Sequence, residues 1–445
     1  MKILKFGGTS VGSAERLRAL AELIEDGDAK IVVLSAMSGT TNALVEITEA
    51  LYAQDAVKAK GLTEALERKY RDVAAQLYGT EKALAKGLEL IEAVFERLRS
   101  FALGKFGPDG ERDILSQGEL LSTAMFHYYL EEINVDSVLL PALDFMRLDA
   151  KDEPDMGFIE THAVDELAKY PGKRLFITQG YICRNASGEV DNLKRGGSDY
   201  TATILGAAIR AEEIQIWTDI DGMHNNDPRV VENTRPIAEL SFDEAAELAY
   251  FGAKILHPTC IFPAQTRNIP VRLLNTLQPE ARGTLITERS AGDDIKAVAA
   301  KDGITAIKIK SGRMLLAYGF LRAVFEIFER YKTPIDMIAT SEVAVSLTID
   351  NTRNLDAIVA ELKGFCRVEV DKGLSIVCVV GSFTAEKEGY ALKIFEALKN
   401  IPIRMISYGG SENNVSVLVE TKLKRDALLA LNKGLFLAGT SGALG

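Results

Sequence analysis

Histidine and cysteine are scarce in this sequence, with four of each in 445 residues. Cys183, Cys260, Cys366 and Cys378 are scattered, with no CxxC pair and no Cys/His cluster, so neither a zinc site nor a disulfide framework is indicated. No histidine falls in a glycine-rich loop, which leaves those loops without the usual general base. Basic residues are in deficit, 52 Lys and Arg against 63 Asp and Glu, and a net charge of −11 argues against nucleic acid as the main partner. No apolar run reaches the roughly 18 residues that a membrane span needs, and Met1-Lys2-Ile3-Leu4 enters a strand-like pattern with no signal-peptide core or cleavage signal. A cytoplasmic protein with no membrane partner is expected. Also missing is a Gly-Lys-Ser/Thr after the first glycine turn, which excludes a Walker A loop.

What is present is an ordinary globular composition, 47% hydrophobic and 26% charged, long enough for about three domains. Lys2–Phe6 reads as a short buried strand that breaks at Gly7-Gly8-Thr9-Ser10 before a helix, a layout suited to cradling phosphates with Lys5 at the strand's end. Ile31–Ala36 is a second buried strand opening into Met37-Ser38-Gly39-Thr40-Thr41-Asn42, and the carboxyl ends of such strands are where open α/β sheets place ligands. Residues 54–103 read as long amphipathic helices forming a structural cover, with no chemistry assigned. Glu119 follows a helical glycine, Gly118, whose presence suggests close approach; it is a candidate for a ligand ammonium, and a surface glutamate would read the same way. Strands are predicted over 135–140 and 174–182, the latter leading into a hairpin around Ala186-Ser187-Gly188.

The densest signal is Lys194-Arg195-Gly196-Gly197-Ser198-Asp199-Tyr200-Thr201. Two glycines allow close backbone approach, Ser198 is placed to cap a helix predicted over Tyr200–Ala211, and a helix N-terminus attracts anions. Arg195 adds a planar fork that grips a carboxylate. Asp199 repels an anion unless a cation stands beside it, and Lys5 is the candidate cation; a solvated Arg–Asp pair at a helix start is the plainer alternative. Further along, the strand Ile214–Asp219 ends in a polar loop through Asp227-Pro228-Arg229 suited to a nucleotide, and Phe251-Gly252-Ala253-Lys254 is a glycine-lysine turn with a second phosphate-facing ammonium. After a small polar linker at 290–294 an internal repeat begins. Pro334-Ile335-Asp336-Met337-Ile338 and its flanking helix and strand are echoed around Pro402-Ile403-Arg404-Met405-Ile406, each copy too small to bury much core alone, so pairing within or between chains is expected.

Taken in order, Lys5-Phe6-Gly7-Gly8-Thr9-Ser10, Val33-Leu34-Ser35-Ala36, Gly118-Glu119, Arg195 to Thr201, Trp217-Thr218-Asp219, Asp227-Pro228-Arg229 and Phe251 to Pro258, followed by twin repeats, resemble the monofunctional aspartate kinases with two C-terminal ACT domains, most closely the lysine-sensitive type. The resemblance covers essentially the whole chain. It implies an α/β fold: an amino-acid-kinase (carbamate-kinase-like) three-layer αβα sandwich over residues 1–289, then α+β ferredoxin-like ACT repeats over 290–372 and 373–445, with the strand near 295–301 open to assignment to the second. It implies ATP-dependent phosphorylation of L-aspartate to 4-phospho-L-aspartate, the first step towards lysine, threonine and methionine, with Mg²⁺ bridging the ATP phosphates.

By the same resemblance Lys5 and Asp199 are catalytic, and Thr41, Glu119, Arg195 and Ser198 bind aspartate. Lys5, Gly7, Gly8, Ser10, Ser35, Thr218, Asp219, His224, Arg229, Lys254 and Ile255 face ATP. His224 stands where tyrosine is common among relatives. Lysine is the expected inhibitor, at a site including Met314, Gly319, Phe320, Leu321, Asp336, Ser341 and Glu342, in a homodimer joined through its ACT domains. Glutamate 5-kinases and uridylate kinases share the glycine loops, but their accessory domains and substrate motifs differ. An amino-acid sensor with a decayed kinase domain would have lost Lys5 or Asp199, and both are present.

Overall fold

The computed structural model describes residues 1–193, 196–252, 256–290, 295–310, 318–383 and 388–437. They fall into two compact units: Met1–Met223 with Ala238–Phe242 and Ile255–Ser290, and His224–Ile237 with Asp243–Lys254 and Ala291–Gly445. In chain order the first stretch runs β1 (Lys2–Phe6), α1 (Ala14–Ile24), β2 (Lys30–Leu34), α2 (Thr40–Tyr52), α3 (Ala56–Leu77), α4 (Glu81–Ser100), α5 (Pro108–Glu132), β3 (Ser137–Leu140), α6 (Met156–Ala168), β4 (Leu175–Gln179), β5 (Ile182–Arg184), β6 (Val190–Asn192), α7 (Gly197–Ile209) and β7 (Ile214–Thr218). It continues through β8 (Glu239–Ser241), α8 (Phe242–Phe251), α9 (Pro258–Thr266), β9 (Val271–Asn275) and β10 (Thr284–Thr287).

Eight of these strands form one sheet in the order β3-β4-β2-β1-β7-β9-β10-β8, parallel throughout except for the β9–β10 pair. Buried on both faces, β1, β2 and β4 carry consecutive apolar residues, Ile3-Leu4, Ile31 to Leu34 and Leu175 to Ile177, as parallel strands covered by helices do. Side-chain alternation sorts the faces: Leu4 and Phe6 join Val32, Leu34, Leu175 and Ile177 in a core with α1 to α5, while Ile3 and Lys5 point the other way. On that opposite face α7 packs so closely that a Cβ on its Gly206 would meet Ile214 at 2.5 Å and Ile3 at 3.5 Å. Period-two alternation therefore aims the Lys5 side chain at the helix whose first turn carries Asp199.

Two sequence expectations change in detail. The strand predicted over 174–182 divides into β4 and β5 because Tyr181 adopts a left-handed backbone (φ 67°). The helix predicted over 200–211 begins earlier, at Gly197; Gly196 is its N-cap and no side chain caps it, so Ser198 lies inside the first turn instead of capping it.

The second unit contains β11 (Ile295–Lys310), α10 (Phe320–Arg330), β12 (Ile338–Thr340), β13 (Ala344–Ile349), α11 (Leu355–Lys363), β14 (Arg367–Gly381), α12 (Tyr390–Ala397), β15 (Met405–Tyr408), β16 (Asn414–Glu420) and α13 (Lys424–Leu431). The two repeats share one six-stranded antiparallel sheet, β12-β13-β11-β14-β16-β15. Two long strands span both copies: Ile295–Lys301 pairs with Ile376–Gly381, and Thr305–Lys310 runs between β13 and the first half of β14. Pairing within the chain thus supplies the core that neither copy could build alone, with separate apolar clusters around Val324–Phe328 and around Ile394–Leu398.

Candidate active site

The parallel strands β1, β2, β4 and β7 all end on one edge of the sheet, and the chain leaves β1 towards β2 on one side and, later, towards β7 on the other. Crevices of this kind are where doubly wound sheets bind ligands. The loops after β1 and β2 are stitched together: Ser35 N donates to Phe6 O at 3.2 Å and Ser38 N to Gly8 O at 3.1 Å. A Cβ on Gly8 would lie 2.9 Å from Ala36 O, so only glycine permits this approach. Ser10 Oγ lies 3.1 Å from Thr276 Oγ1.

Lys5, 9% exposed, places its Nζ 2.5 Å from Asp199 Oδ1. The contact is a charge pair rather than an aligned hydrogen bond, since Oδ1 makes no hydrogen bond with a described residue. Asp199 stands in the first turn of α7, where a carboxylate is favoured by the helix dipole. Its position depends on Gly196, whose φ of 69° suits glycine and whose Cβ would fall 1.9 Å from Cys260 Sγ. One residue before Asp199, Ser198 Oγ accepts from Ser35 Oγ at 2.8 Å, and Ser122 Oγ donates to Ser35 O at 2.8 Å. β2, α5 and α7 are thereby held at one point.

Beside that point lies a cavity of about 400 Å³, lined by Ser35, Thr41, Asn42, Glu119, Tyr181 and Ser198 among others. Two helices begin at it, α2 and α7, each with a left-handed glycine N-cap (Gly39, φ 77°; Gly196) and no capping side chain, which leaves first-turn N–H groups for an anion. Glu119 is the exception to this positive lining. It is 4% exposed; Oε1 accepts from Ala36 N at 3.1 Å, and Oε2 has no hydrogen-bond partner among the described residues. Burial pushes its carboxyl up to about 8, the Ala36 N–H offsetting only part of the desolvation. The bland reading of Glu119 as a surface residue is therefore excluded. Gly118 is small for a visible reason: a Cβ there would sit 2.8 Å from Ala36 Cβ. A buried carboxyl with one orphan oxygen thus faces a cavity that also presents hydroxyls and two helix N-termini.

Residues 1–275 match the amino acid kinase family and residues 377–435 an ACT domain. Lysine-sensitive aspartokinase 3 of Escherichia coli K12 is 34% identical, over 98% of this chain and 99% of its own length. This chain belongs to the aspartokinases of the amino acid kinase family. Aspartokinase 1 of Arabidopsis thaliana, a chloroplast protein, is 35% identical over 98% of the chain and 80% of its own length. Among solved structures, E. coli aspartokinase III with aspartate and ADP superposes with a TM-score of 0.85 at 34% identity, covering 98% of this chain and all of the other. The same enzyme with lysine and aspartate gives 0.80, covering 98% and 99%. The fold expected from the sequence, a kinase sandwich followed by ACT domains, is the one observed.

In this aspartokinase the remaining expected residues are dispersed. Arg195, Lys254, Ile255 and Met314 lie outside the described residues. Thr218 ends β7, its carbonyl accepting from Thr276 N at 2.8 Å and its Oγ1 donating to Asp219 Oδ1 at 3.2 Å. His224 and Arg229 belong to the second unit. His224 Nδ1 is 2.8 Å from Thr234 Oγ1, and Arg229 is held by a bidentate pair with Asp227, at 2.9 and 2.8 Å. Gly319 (φ 86°) is the N-cap of α10, Phe320 meets Phe365 edge to face, and Leu321, Ser341 and Glu342 are exposed. The Asp336 side chain is buried and already has a base beside it, Lys301 at 3.0 Å.

Sequence reasoning missed the contribution of α3. Tyr70 Oη lies 3.0 Å from Thr40 Oγ1, and Lys69 Nζ donates to Ser38 O, so the helical cover braces the cavity's loop. No spacing rule could reveal this, because both contacts join segments distant in sequence. Tyr181 was also missed, although its place just beyond the buried strand β4 was a usable signal.

Proposed function

We propose that the chain transfers the γ-phosphoryl group of ATP to the side-chain carboxylate of L-aspartate, giving ADP and 4-phospho-L-aspartate, and that L-lysine inhibits it through the first ACT repeat. The observation that carries the reading is the orphan oxygen of Glu119 in a cavity that also presents hydroxyls and two helix N-termini. Aspartate's ammonium would meet that oxygen, Arg195 would grip the α-carboxylate, and Thr41 and Ser198 would complete the contacts. The acceptor carboxylate, with an ordinary pKa of about 3.9, is ionised at neutral pH and needs no general base. The reaction is then a matter of in-line positioning and charge neutralisation. The carboxylate oxygen forms a bond to the γ-phosphorus while the bond to the ADP oxygen breaks. Lys5 meets the charge on the transferring group, and Asp199 holds Lys5 in place.

Gly7, Gly8, Ser10 and Ser35 would cradle the phosphates, with Thr218, Asp219, His224, Arg229, Lys254 and Ile255 on the nucleotide side. Mg²⁺ enters as part of the substrate MgATP; among the described residues no group of three His, Cys, Asp or Glu side chains could hold a metal by itself. We assign residues 1–289 to the kinase domain, 290–372 to the first ACT repeat and 373–445 to the second, to which the β11 segment Ile295–Lys301 contributes by its pairing with Ile376–Gly381. Exposed apolar residues on the sheet's edge strands, Ile338 on β12 with Ile406 and Tyr408 on β15, favour a homodimer through this unit. Among the described residues no helix is long and apolar enough to cross a membrane. A coupled ADP-release assay offering aspartate, glutamate, acetylglutamate and UMP in turn tests the activity. Turnover with aspartate alone is expected, and preference for any other acceptor would overturn the reading.

A further inference from the structure

The two oxygens of Asp336 are used differently. Oδ1 accepts from Tyr250 Oη at 2.6 Å and from Lys301 Nζ at 3.0 Å, whereas Oδ2 is buried with no hydrogen-bond partner among the described residues, on a side chain 1% exposed. Lys301 is itself shared, with Asp350 Oδ2 at 2.8 Å and the ring of Tyr250 at 4.1 Å from its centroid. Burial raises the Asp336 carboxyl above its ordinary range in spite of these donors. An incoming ammonium at Oδ2 would add to two donors already on Oδ1 and redistribute them.

Tyr250 is not part of the repeat that carries Asp336. It stands next to last on α8, whose first residue, Phe242, follows β8 of the kinase sheet without a break. Two residues on, Gly252 (φ 140°) lies against β11 so closely that a Cβ would be 2.4 Å from Ala300 O, the residue before Lys301. The end of α8 is thus tied to β11 at neighbouring points, through Gly252 at Ala300 and through Tyr250 at Lys301 and Asp336. In sequence, Lys254 of the glycine-lysine motif follows Tyr250 by four positions.

We propose that Tyr250 is the coupling residue of this enzyme: its hydroxyl reads the occupancy of the Asp336 carboxylate and passes it along the end of α8 towards Lys254. The inference rests on the reading of Asp336 as the carboxylate that meets the inhibitor's side-chain ammonium. A ligand moves an equilibrium only through contacts that differ between the two states, and the Tyr250–Asp336 hydrogen bond is such a contact. Lys301 is then the resident ammonium that keeps the carboxylate and the Tyr250 ring in register when no inhibitor is bound.

The test measures L-lysine binding by calorimetry and L-lysine inhibition of the kinase on the full chain, for the wild type, Tyr250→Phe and Asp336→Asn. Tyr250→Phe removes one hydroxyl and keeps the ring that Lys301 overlies, and equal melting temperatures would establish that it folds. It is expected to bind lysine within about threefold of wild type, to keep the basal turnover, and to need at least fivefold more lysine for half inhibition, the low end of typical coupling factors of about 5- to 150-fold. Inhibition by lysine that is unchanged in Tyr250→Phe, while Asp336→Asn no longer binds lysine, overturns the coupling role alone. Loss of lysine binding in Tyr250→Phe as complete as in Asp336→Asn also overturns it, by making Tyr250 a ligand of the inhibitor. Lysine binding that survives Asp336→Asn overturns the underlying site.

Discussion

Lys5 Nζ stands 2.5 Å from Asp199 Oδ1, joining the end of the first strand to the first turn of α7. Both side chains are largely shielded, so the pair fixes the direction of the ammonium at little cost in screening by solvent. An oriented charge of this kind stabilises a transition state more than a mobile one, because no reorganisation accompanies the reaction. Lys5→Ala is expected to lower kcat by roughly 10²–10³-fold, the effect of removing one oriented donor. The KM for aspartate should stay near the wild-type value, and steady-state kinetics would show it; a fall in kcat of less than tenfold would remove Lys5 from the chemistry.

Glu119 makes the enzyme sensitive to pH in two ways. Burial raises its carboxyl from 4.5 to about 8, so before aspartate binds it is mostly protonated at pH 7. Pairing with aspartate's ammonium favours the ionised form, and binding at pH 7 should release about one proton. Calorimetry in buffers of different ionisation enthalpy measures that number, and a value near zero would contradict the pairing.

The same carboxyl affects stability, with the opposite sign to a salt-bridged one. Below pH 4.5 it is protonated folded and unfolded alike. Between 4.5 and about 8 the unfolded chain ionises first, so the folded state holds the extra proton and stability falls as pH rises. Glu119→Gln, which keeps an oxygen for the Ala36 N–H, should therefore gain stability over the wild type between pH 5 and pH 8.5, by roughly 2–4 kcal/mol at the upper end. Urea unfolding at the two pH values tests this, and aspartate binding by the variant should be weak throughout.

Arg195 immediately precedes the Gly196 cap of α7. If it grips the α-carboxylate with two parallel hydrogen bonds, a lysine there retains the charge and loses the fork. Arg195→Lys should raise the KM for aspartate by about tenfold or more with a smaller change in kcat, since ground-state binding is what is lost. An unchanged KM would place the α-carboxylate elsewhere.

Asp336 accepts from both Tyr250 and Lys301. Its replacement by alanine should relieve lysine inhibition while leaving kcat intact, and titrating lysine and threonine separately against both proteins would show it. Inhibition by threonine alone, or equal lysine sensitivity in the two, would exclude this carboxylate as the effector's partner. The second repeat has Arg404 at the equivalent place, paired with Glu420 at 2.6 Å, and offers no carboxylate there.

The sequence by itself determined the strand ends and glycine loops of the kinase sheet, the doubling of the C-terminal unit, and Lys5, Glu119 and Asp199 as residues worth watching. These are legible because alternation, glycine turns and repeats are local patterns. Tertiary structure decided the rest, through contacts between segments that no spacing connects. Period two put Lys5 on the face that α7 covers, but only packing brought Asp199 to it. Ser198 looked like a helix cap, and the approach of β2 turned its hydroxyl to Ser35 instead. Glu119 could have been a surface residue until Gly118 let its helix close on Ala36 and shut the carboxyl away from water. The long helices read as mere cover brace the cavity through Tyr70 and Lys69. The twin repeats announced themselves in sequence, but that two strands, β11 and β14, run through both copies is a matter of register. Register is set by which apolar face finds a partner, and it is decided only when the whole sheet forms.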